Sequence, residues 1–303
     1  MIWKKLGLVF KPSGQNWWMS SHAATPVPLK IDADKYRFYF GTRDKNNHPR
    51  IGYVEVDINN PCEVLDVSSE IVLDKGSIGY FDDNGVYPGP IIHKENKLIM
   101  YYMGRSNGES PIYRMCIGVA ESNDGGRTFA RRSSVPLLDR SEHDPWMVST
   151  PFILEERGLH RLWYLSGLGW EFRDGEYKSF YHIKYAESLD GDVWNRNGSI
   201  AIDLASNETN ICGPTVIKYH DEYHMWYCYV AGKNAYRIGY ALSEDGLEWS
   251  RRDNQSGISV SDEGWDSECQ AYPYVFRHED KIYMLYSGNE FGKGGFGIAL
   301  LDD

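Results

Sequence analysis

A chain of 303 residues with 42% hydrophobic and 14% aromatic residues can bury a sizeable core, as one large domain or two ordinary ones. Its formal charge of −11 argues against a nucleic-acid partner, which demands a basic stripe, and against an anionic membrane surface. No window reaches the ~18 apolar residues of a membrane span, and five scattered cysteines without a CxxC pair fit neither a disulfide framework nor a zinc site.

The N-terminal stretch MIWKKLGLVFKPSG lacks the long apolar core and small-residue cleavage site of a signal peptide, which predicts a soluble, cytoplasmic protein. From Thr25 onward a pattern recurs: a proline, an apolar run, a polar turn and an aromatic run. The copies are TPVPLKIDADKYRFYFG, YPGPIIHKENKLIMYYMG from Tyr87 and TPFILEERGLHRLWYLSG from Thr150. GPTVIKYHDEYHMWYCYVAG from Gly213 and YPYVFRHEDKIYMLYSG from Tyr272 complete the set. The marker prolines Pro26, Pro88, Pro151, Pro214 and Pro273 are spaced by 62, 63, 63 and 59 residues, a period that signals an array or propeller.

Each copy reads as a β-hairpin followed by a third strand. Three copies then carry a tight turn: SNDGGRTF from Ser122, SLDGDVW from Ser188 and SEDGLEW from Ser243. Asp-Gly supplies the positive-φ turn residue, the Ser and Asp side chains bond turn amides, and the aromatic anchors the turn. The first matches the Asp-box of propeller hairpins, so these aspartates read as structural and not as metal ligands. A fourth strand completes each unit.

The last copy stops after its third strand, while Trp3-Lys-Lys5 resembles Trp249-Ser-Arg-Arg252 and Phe129-Ala-Arg-Arg132, which follow the turns. The N-terminal strand is therefore expected to supply the missing outer strand of the last unit and remove an open sheet edge. The prediction is an all-β, five-bladed β-propeller with four-stranded blades, one domain over residues 1–303.

In a propeller, the loop approaching each first strand and the loop after each second strand share one face. There the sequence collects Asp82, Asp83, Asp144, Glu208 and Glu268 with His22, Arg43, Arg105 and Lys233, and with Trp17, Trp18, Trp146 and Trp170. Converging carboxylates can do general acid and base work, and Trp, Arg and Asn can bind a sugar. The stretch Trp170–Tyr181, longer than its counterparts, is expected to overhang the pocket. His22 has no HxH or HExxH spacing around it, so no metal and no cofactor are predicted.

With these repeats assembled, the chain resembles the five-bladed propeller superfamily of glycoside-active enzymes: arabinanases and xylosidases, invertases and levansucrases, and mannoside phosphorylases. The resemblance spans essentially the whole chain, through the proline-led strands and Ser-x-Asp-Gly turns. It implies a glycosidase-like hydrolase, or a related glycosyl-transferring enzyme, acting on a carbohydrate in the central pocket. One departure is specific. Arabinanase-like members place acids directly before the repeat prolines, whereas those positions here read Thr25, Tyr87, Thr150, Cys212-Gly213 and Ala271-Tyr272. On this reading Glu268 is the general acid and Asp144 or Asp83 the base or nucleophile. His22, Arg43, Arg105, Trp146, Trp170, Glu208, Lys233 and Asn289 bind substrate. Two alternatives stay open: a non-catalytic carbohydrate-binding propeller in polysaccharide metabolism, and a phosphorylase or an anionic sugar served by Arg43, Arg105 and Lys233.

Overall fold

A computed structural model describes residues 1–173, 175–232 and 235–302. Strand β1 (Ile2–Phe10) precedes the repeats. The first repeat forms β2 (Ser21–Lys30), β3 (Lys35–Arg43), β4 (Pro49–Asp57) and β5 (Val64–Val67). The second forms β6 (Gly85–Tyr87) and β7 (Ile91–Lys94), both paired with β8 (Lys97–Asn107), then β9 (Tyr113–Ser122) and β10 (Ala130–Arg131). The third forms β11 (Val148–Glu156), β12 (Leu159–Arg173), β13 (Glu176–Ser188) and β14 (Ile200–Ile202). The fourth forms β15 (Glu208–Tyr219), β16 (Glu222–Ala231), β17 (Arg237–Ser243) and β18 (Ser250–Arg251). The fifth forms β19 (Ala271–His278), β20 (Lys281–Ser287) and β21 (Phe296–Asp302).

Each repeat is an antiparallel meander in chain order, and β1 pairs with β21 as the outer strand of the fifth. The third and fourth meanders share a parallel strand bridge at Tyr181 and Asn210. Neighbouring meanders pack face to face around a ring, with β2 against β19, β4 against β6, β9 against β11, β11 against β15 and β15 against β19. This is a β-propeller whose ring is closed by the N-terminal strand. Among the described residues no helix is long and apolar enough to cross a membrane.

Alternation along the second strands explains the aromatic content. Tyr36, Phe38 and Phe40 of β3 pack against Tyr283 and Leu285 of the fifth meander. Tyr39, on the opposite face, packs against Leu98, Met100 and Tyr102 of the second. The same two-sided burial separates Tyr101 from Tyr102, Trp163 from Tyr164 and Trp226 from Tyr227. A strand of period two with both faces covered needs large apolar residues at successive positions, and flat rings fill the gap between twisted sheets.

The marker prolines have a defined task. Proline cannot donate to the ladder. In β2, β11, β15 and β19 the register shifts across it, while in the second repeat Pro88-Gly89-Pro90 separates β6 from β7. The preceding residue turns to positive φ in four repeats: Thr25 at 51°, Thr150 at 38°, Gly213 at 61° and Tyr272 at 53°. Such bulges re-aim side chains at a strand start. All five prolines border one narrow space of ≈ 40 Å³, which marks the axis of the ring.

The Ser-x-Asp-Gly turns stitch neighbouring blades. Tyr39 donates to the Gly126 carbonyl (2.7 Å), Tyr101 to that of Gly191 (3.0 Å) and the Trp163 indole to that of Gly246 (3.2 Å). Inside each turn the aspartate accepts backbone amides, as Asp190 does from Asp192 and Val193 at 2.8 Å. Their role is structural, as the sequence predicted.

Candidate functional site

Above the proline ring the axis opens into a cavity of ≈ 980 Å³. Its floor is formed by residues one or two positions before the marker prolines: Thr25, Tyr87, Thr150, Cys212 and Tyr272. The ends of the second strands and the loops after them contribute Arg43, Arg105, Ala235 and Phe291, and no residue of a Ser-x-Asp-Gly turn lines it. The face expected from the repeat pattern is the face that carries the cavity.

One wall is the long hairpin of β12 and β13. Arg173 and residues 176–181 line the cavity, so the stretch expected to overhang it does so; Asp174 lies outside the described residues. The hairpin is seated on the second blade through Tyr113. The Trp170 ring meets Tyr113 edge-on at 4.7 Å, and the Tyr113 and Ser179 hydroxyls bond at 2.9 Å. At its root the Tyr181 and Tyr236 hydroxyls bond directly. Burial and the neighbouring Cys212 thiol hold Tyr181, Tyr236 and Tyr272 well above the usual phenol range, so they stay neutral donors across physiological pH.

The three acids singled out from sequence lie off the cavity lining. Asp144 is fully buried within its blade. It accepts from Ser166 (2.7 Å), Tyr164 (3.0 Å), Ser141 (3.2 Å) and Arg196 (3.2 Å), with the Lys184 ammonium at 3.5 Å. Asp83 accepts the Gly79 amide at 3.0 Å and shapes its own loop. Glu268 is exposed, and its backbone amide donates to the Asn289 side chain (2.7 Å).

Approach-loop acids recur as part of the fold. Asp82 pairs with Arg131 (2.8 Å), Asp144 with Arg196 (3.2 Å), Glu208 with Arg251 (2.7 Å) and Asp266 with Lys5 (2.7 Å). Each cation stands two residues after the aromatic that anchors its outer strand: Phe129, Trp194, Trp249 and Trp3. Second-strand tyrosines Tyr102, Tyr164 and Tyr286 complete three of these clamps by donating to Asp82, Asp144 and Asp266. Glu208, expected to bind substrate, is instead held at both oxygens by Arg251.

Of the other expected binding residues, Arg43 and Arg105 line the cavity. His22 lies beside Arg43; burial, then Arg43 and Lys293, lowers its pKa to about 4, leaving it neutral. Trp146 is exposed next to Gly169 and off the lining, and Trp170 reaches the site only through Tyr113. Asn289 clamps the loop of Gly264 and Ser267 through its side-chain amide. Lys233 lies outside the described residues. The cavity tyrosines and the hairpin residues Arg173, Glu176 and Lys178 were not assigned from sequence; the signal for the floor was position, one or two residues before a marker proline. Among the described residues, Glu176 is the one carboxylate on the lining, and it pairs with Lys178 at 3.6 Å.

The closest grouping of potential metal ligands among the described residues is Asp34, His278 and Glu279. It lies in the first-to-second strand turns, away from the cavity, where His278 already contacts Asp34 (3.3 Å) and Tyr36 (3.2 Å).

No protein-family profile matches the chain. It is 40% identical over 304 residues, and over the full length of both chains, to two Mycobacterium tuberculosis proteins named only as uncharacterized, Rv1502 of strain H37Rv and MT1551 of strain CDC 1551 / Oshkosh. Among solved structures, the fold is similar to one titled a glycoside hydrolase (TM-score 0.75, 18% identity, 98% of this chain and 90% of that one). It is also similar to a thermostable family-43 glycoside hydrolase (0.68, 19%, 95% and 93%). A third is the Bombyx mori GH32 β-fructofuranosidase (0.61, 14%, 93% and 61%). These neighbours belong to the glycoside hydrolase β-propellers, and at such identities they establish the fold alone.

Proposed function

The chain belongs to the family of Rv1502 and MT1551 of Mycobacterium tuberculosis, and we propose that it is a glycoside-active protein that takes a carbohydrate into its central cavity. The observation that carries this reading is the cavity itself. It is ≈ 980 Å³ in volume, lies on the axis of a glycoside hydrolase fold, and is walled by Tyr87, Tyr113, Tyr177, Tyr181, Tyr236 and Tyr272. Phenol rings offer apolar faces for stacking on a sugar, and their neutral hydroxyls donate to ring oxygens and hydroxyls. The volume suits a small saccharide.

Hydrolysis by the usual route needs two carboxylates flanking the scissile bond. The described lining offers Glu176, while Asp144 and Glu208 are committed to buried clamps. A single acid suffices where the nucleophile arrives with the substrates, and Glu176, as the carboxylate on the described lining, is our candidate to protonate a leaving oxygen. Non-catalytic binding is the second reading, favoured by the distance of Asp83, Asp144 and Glu268 from the lining.

Both share one test. Calorimetric titration against a panel of mono- and oligosaccharides should show binding, weakened roughly 2- to 10-fold by Tyr177→Ala on the exposed hairpin. Product analysis on the bound saccharide then separates them. Turnover lost in Glu176→Gln supports the enzyme, and unchanged saccharide with retained affinity supports the binder. A panel that binds nowhere, or binds Tyr177→Ala equally well, overturns the site.

A further inference from the structure

Among the described residues most buried or partly buried guanidiniums have a carboxylate, while Arg161 and Arg237 donate to backbone carbonyls instead. Arg37 has Glu55, Arg50 has Asp44 and Asp74, Arg131 has Asp82, Arg196 has Asp144, and Arg251 has Glu208 and Asp253. Even on the cavity rim, Arg173 pairs with Glu171 (2.5 Å) and Lys178 with Glu176 (3.6 Å). Arg43 and Arg105 are the exceptions on the lining. Both are half-buried, and among the described residues neither is paired with an acid. Arg43 is held by the Asn47 side-chain oxygen at 3.0 Å, and its Nε is buried with no partner. Arg105 is held by the Asn107 side-chain oxygen at 3.1 Å, with its guanidinium over the Tyr113 ring at 5.3 Å.

A neutral amide fixes the direction of a guanidinium without cancelling its charge. Two such cations, from adjacent blades and open to one cavity, leave positive charge and unused donors in a protein of net charge −11. The depressed pKa of His22, to about 4, registers the same positive potential after the effect of burial. Guanidinium donors are matched to planar or tetrahedral oxyanions, and burying them without one is costly.

We propose that Arg43 and Arg105 form an oxyanion subsite, so that the carbohydrate taken by the cavity carries a carboxylate or phosphate group. This rests on the carbohydrate reading above and narrows its substrate class to acidic saccharides. The subsite places the charged group toward the first and second blades, with the sugar ring extending toward the tyrosines of the hairpin.

The test uses the whole chain and four probes: glucose, glucuronate, glucose 6-phosphate and inorganic phosphate. At least one charged sugar should bind about tenfold or more tightly than glucose. The preference should shrink as salt rises from 50 to 500 mM. Arg43→Gln and Arg105→Gln should each remove about tenfold of the preference, with the thermal melt unchanged. Preference for glucuronate identifies a carboxylate, and preference for glucose 6-phosphate a phosphate. Equal binding of charged and neutral sugars, or a preference that survives the double substitution, overturns the subsite while leaving the carbohydrate reading in place. Inorganic phosphate bound in an Arg43-dependent way, with no sugar bound, keeps an anion site and overturns the carbohydrate reading. No binding of any probe overturns the subsite.

Discussion

Replacing Asp144 separates a structural carboxylate from a catalytic one. The side chain is fully buried and holds five partners from its own blade: Tyr164, Ser166, Ser141, Arg196 and Lys184. Asp144→Ala leaves two cations and three hydroxyls facing a void. Removing one partner of a buried ion pair costs about 3–5 kcal/mol, chiefly because the remaining charge is stranded. At about 2 °C per kcal/mol for a chain of this size, the thermal midpoint should fall by roughly 6–10 °C. Asp144→Asn keeps the shape and loses the charge, so it should fall between. Glu268→Ala, at an exposed position, should shift the midpoint by no more than about 1 °C. Circular dichroism melts give these shifts. Saccharide titration well below the midpoint should then show Asp144→Ala binding as the parent does. A midpoint within about 2 °C of the parent, together with loss of binding or turnover, would refute the clamp and return Asp144 to the chemistry.

The interblade stitches predict a contrast between two glycines of equal φ. A Cβ on Gly191 (φ +77°) would lie 2.5 Å from the Tyr101 hydroxyl, whereas one on Gly158 (φ +76°) meets nothing within 4 Å. Gly158→Ala should cost only the backbone strain, about 1 kcal/mol, and Gly191→Ala several °C more in the melt, because it also displaces the tyrosine that joins two blades. The pH dependence has a sign fixed by His22. Its folded pKa, lowered to about 4 by burial and then by Arg43 and Lys293, lies below the unfolded value of 6.5. Between those values the unfolded chain binds a proton that the folded chain refuses, so stability falls as pH drops from 6.5 to about 4. His22→Asn, which tolerates the positive φ of 62°, should flatten that part of a denaturant-derived stability profile. At lower pH the turn carboxylates dominate. Burial alone would raise the pKa of Asp124, but bonds from Thr128 and Ser122 and from the Thr128 and Arg127 amides hold it at about 2. Its stabilisation is complete above 3.8 and lost as pH falls through about 2, and Asp124→Ala should remove its share of that acid limb, leaving the shares of Asp190 and Asp245.

The fold was legible because each of its devices is local. A proline at a strand start breaks the ladder wherever it stands, and Ser-x-Asp-Gly folds back on its own serine in the three copies that carry it. The ring then follows from repetition, and Trp3-Lys-Lys5 declares the closing strand by matching its counterparts. The acids were misleading for the opposite reason. Asp82, Asp144, Glu208 and Asp266 look like pocket residues in a linear reading, because their loops approach the axis. Their cations stand 43 to 52 residues later, or at the far N-terminus in the case of Lys5, and only the meander lays an outer strand beside an approach loop. Yet the pairing obeys the repeat: an acid near the period of about 62 residues meets a cation two residues past a recurring aromatic. That regularity supplies the rule for sorting charge in this molecule. A carboxylate that recurs with its own recurring cation is accounted for by the blade. Arg43 and Arg105 stand toward the ends of their second strands, as the last residue of β3 and within β8, but the corresponding stretch of the third repeat has Leu168 and that of the fifth Asn289. Blade architecture does not require a cation at that position and provides no acid for it, so the charge there answers to whatever enters the cavity.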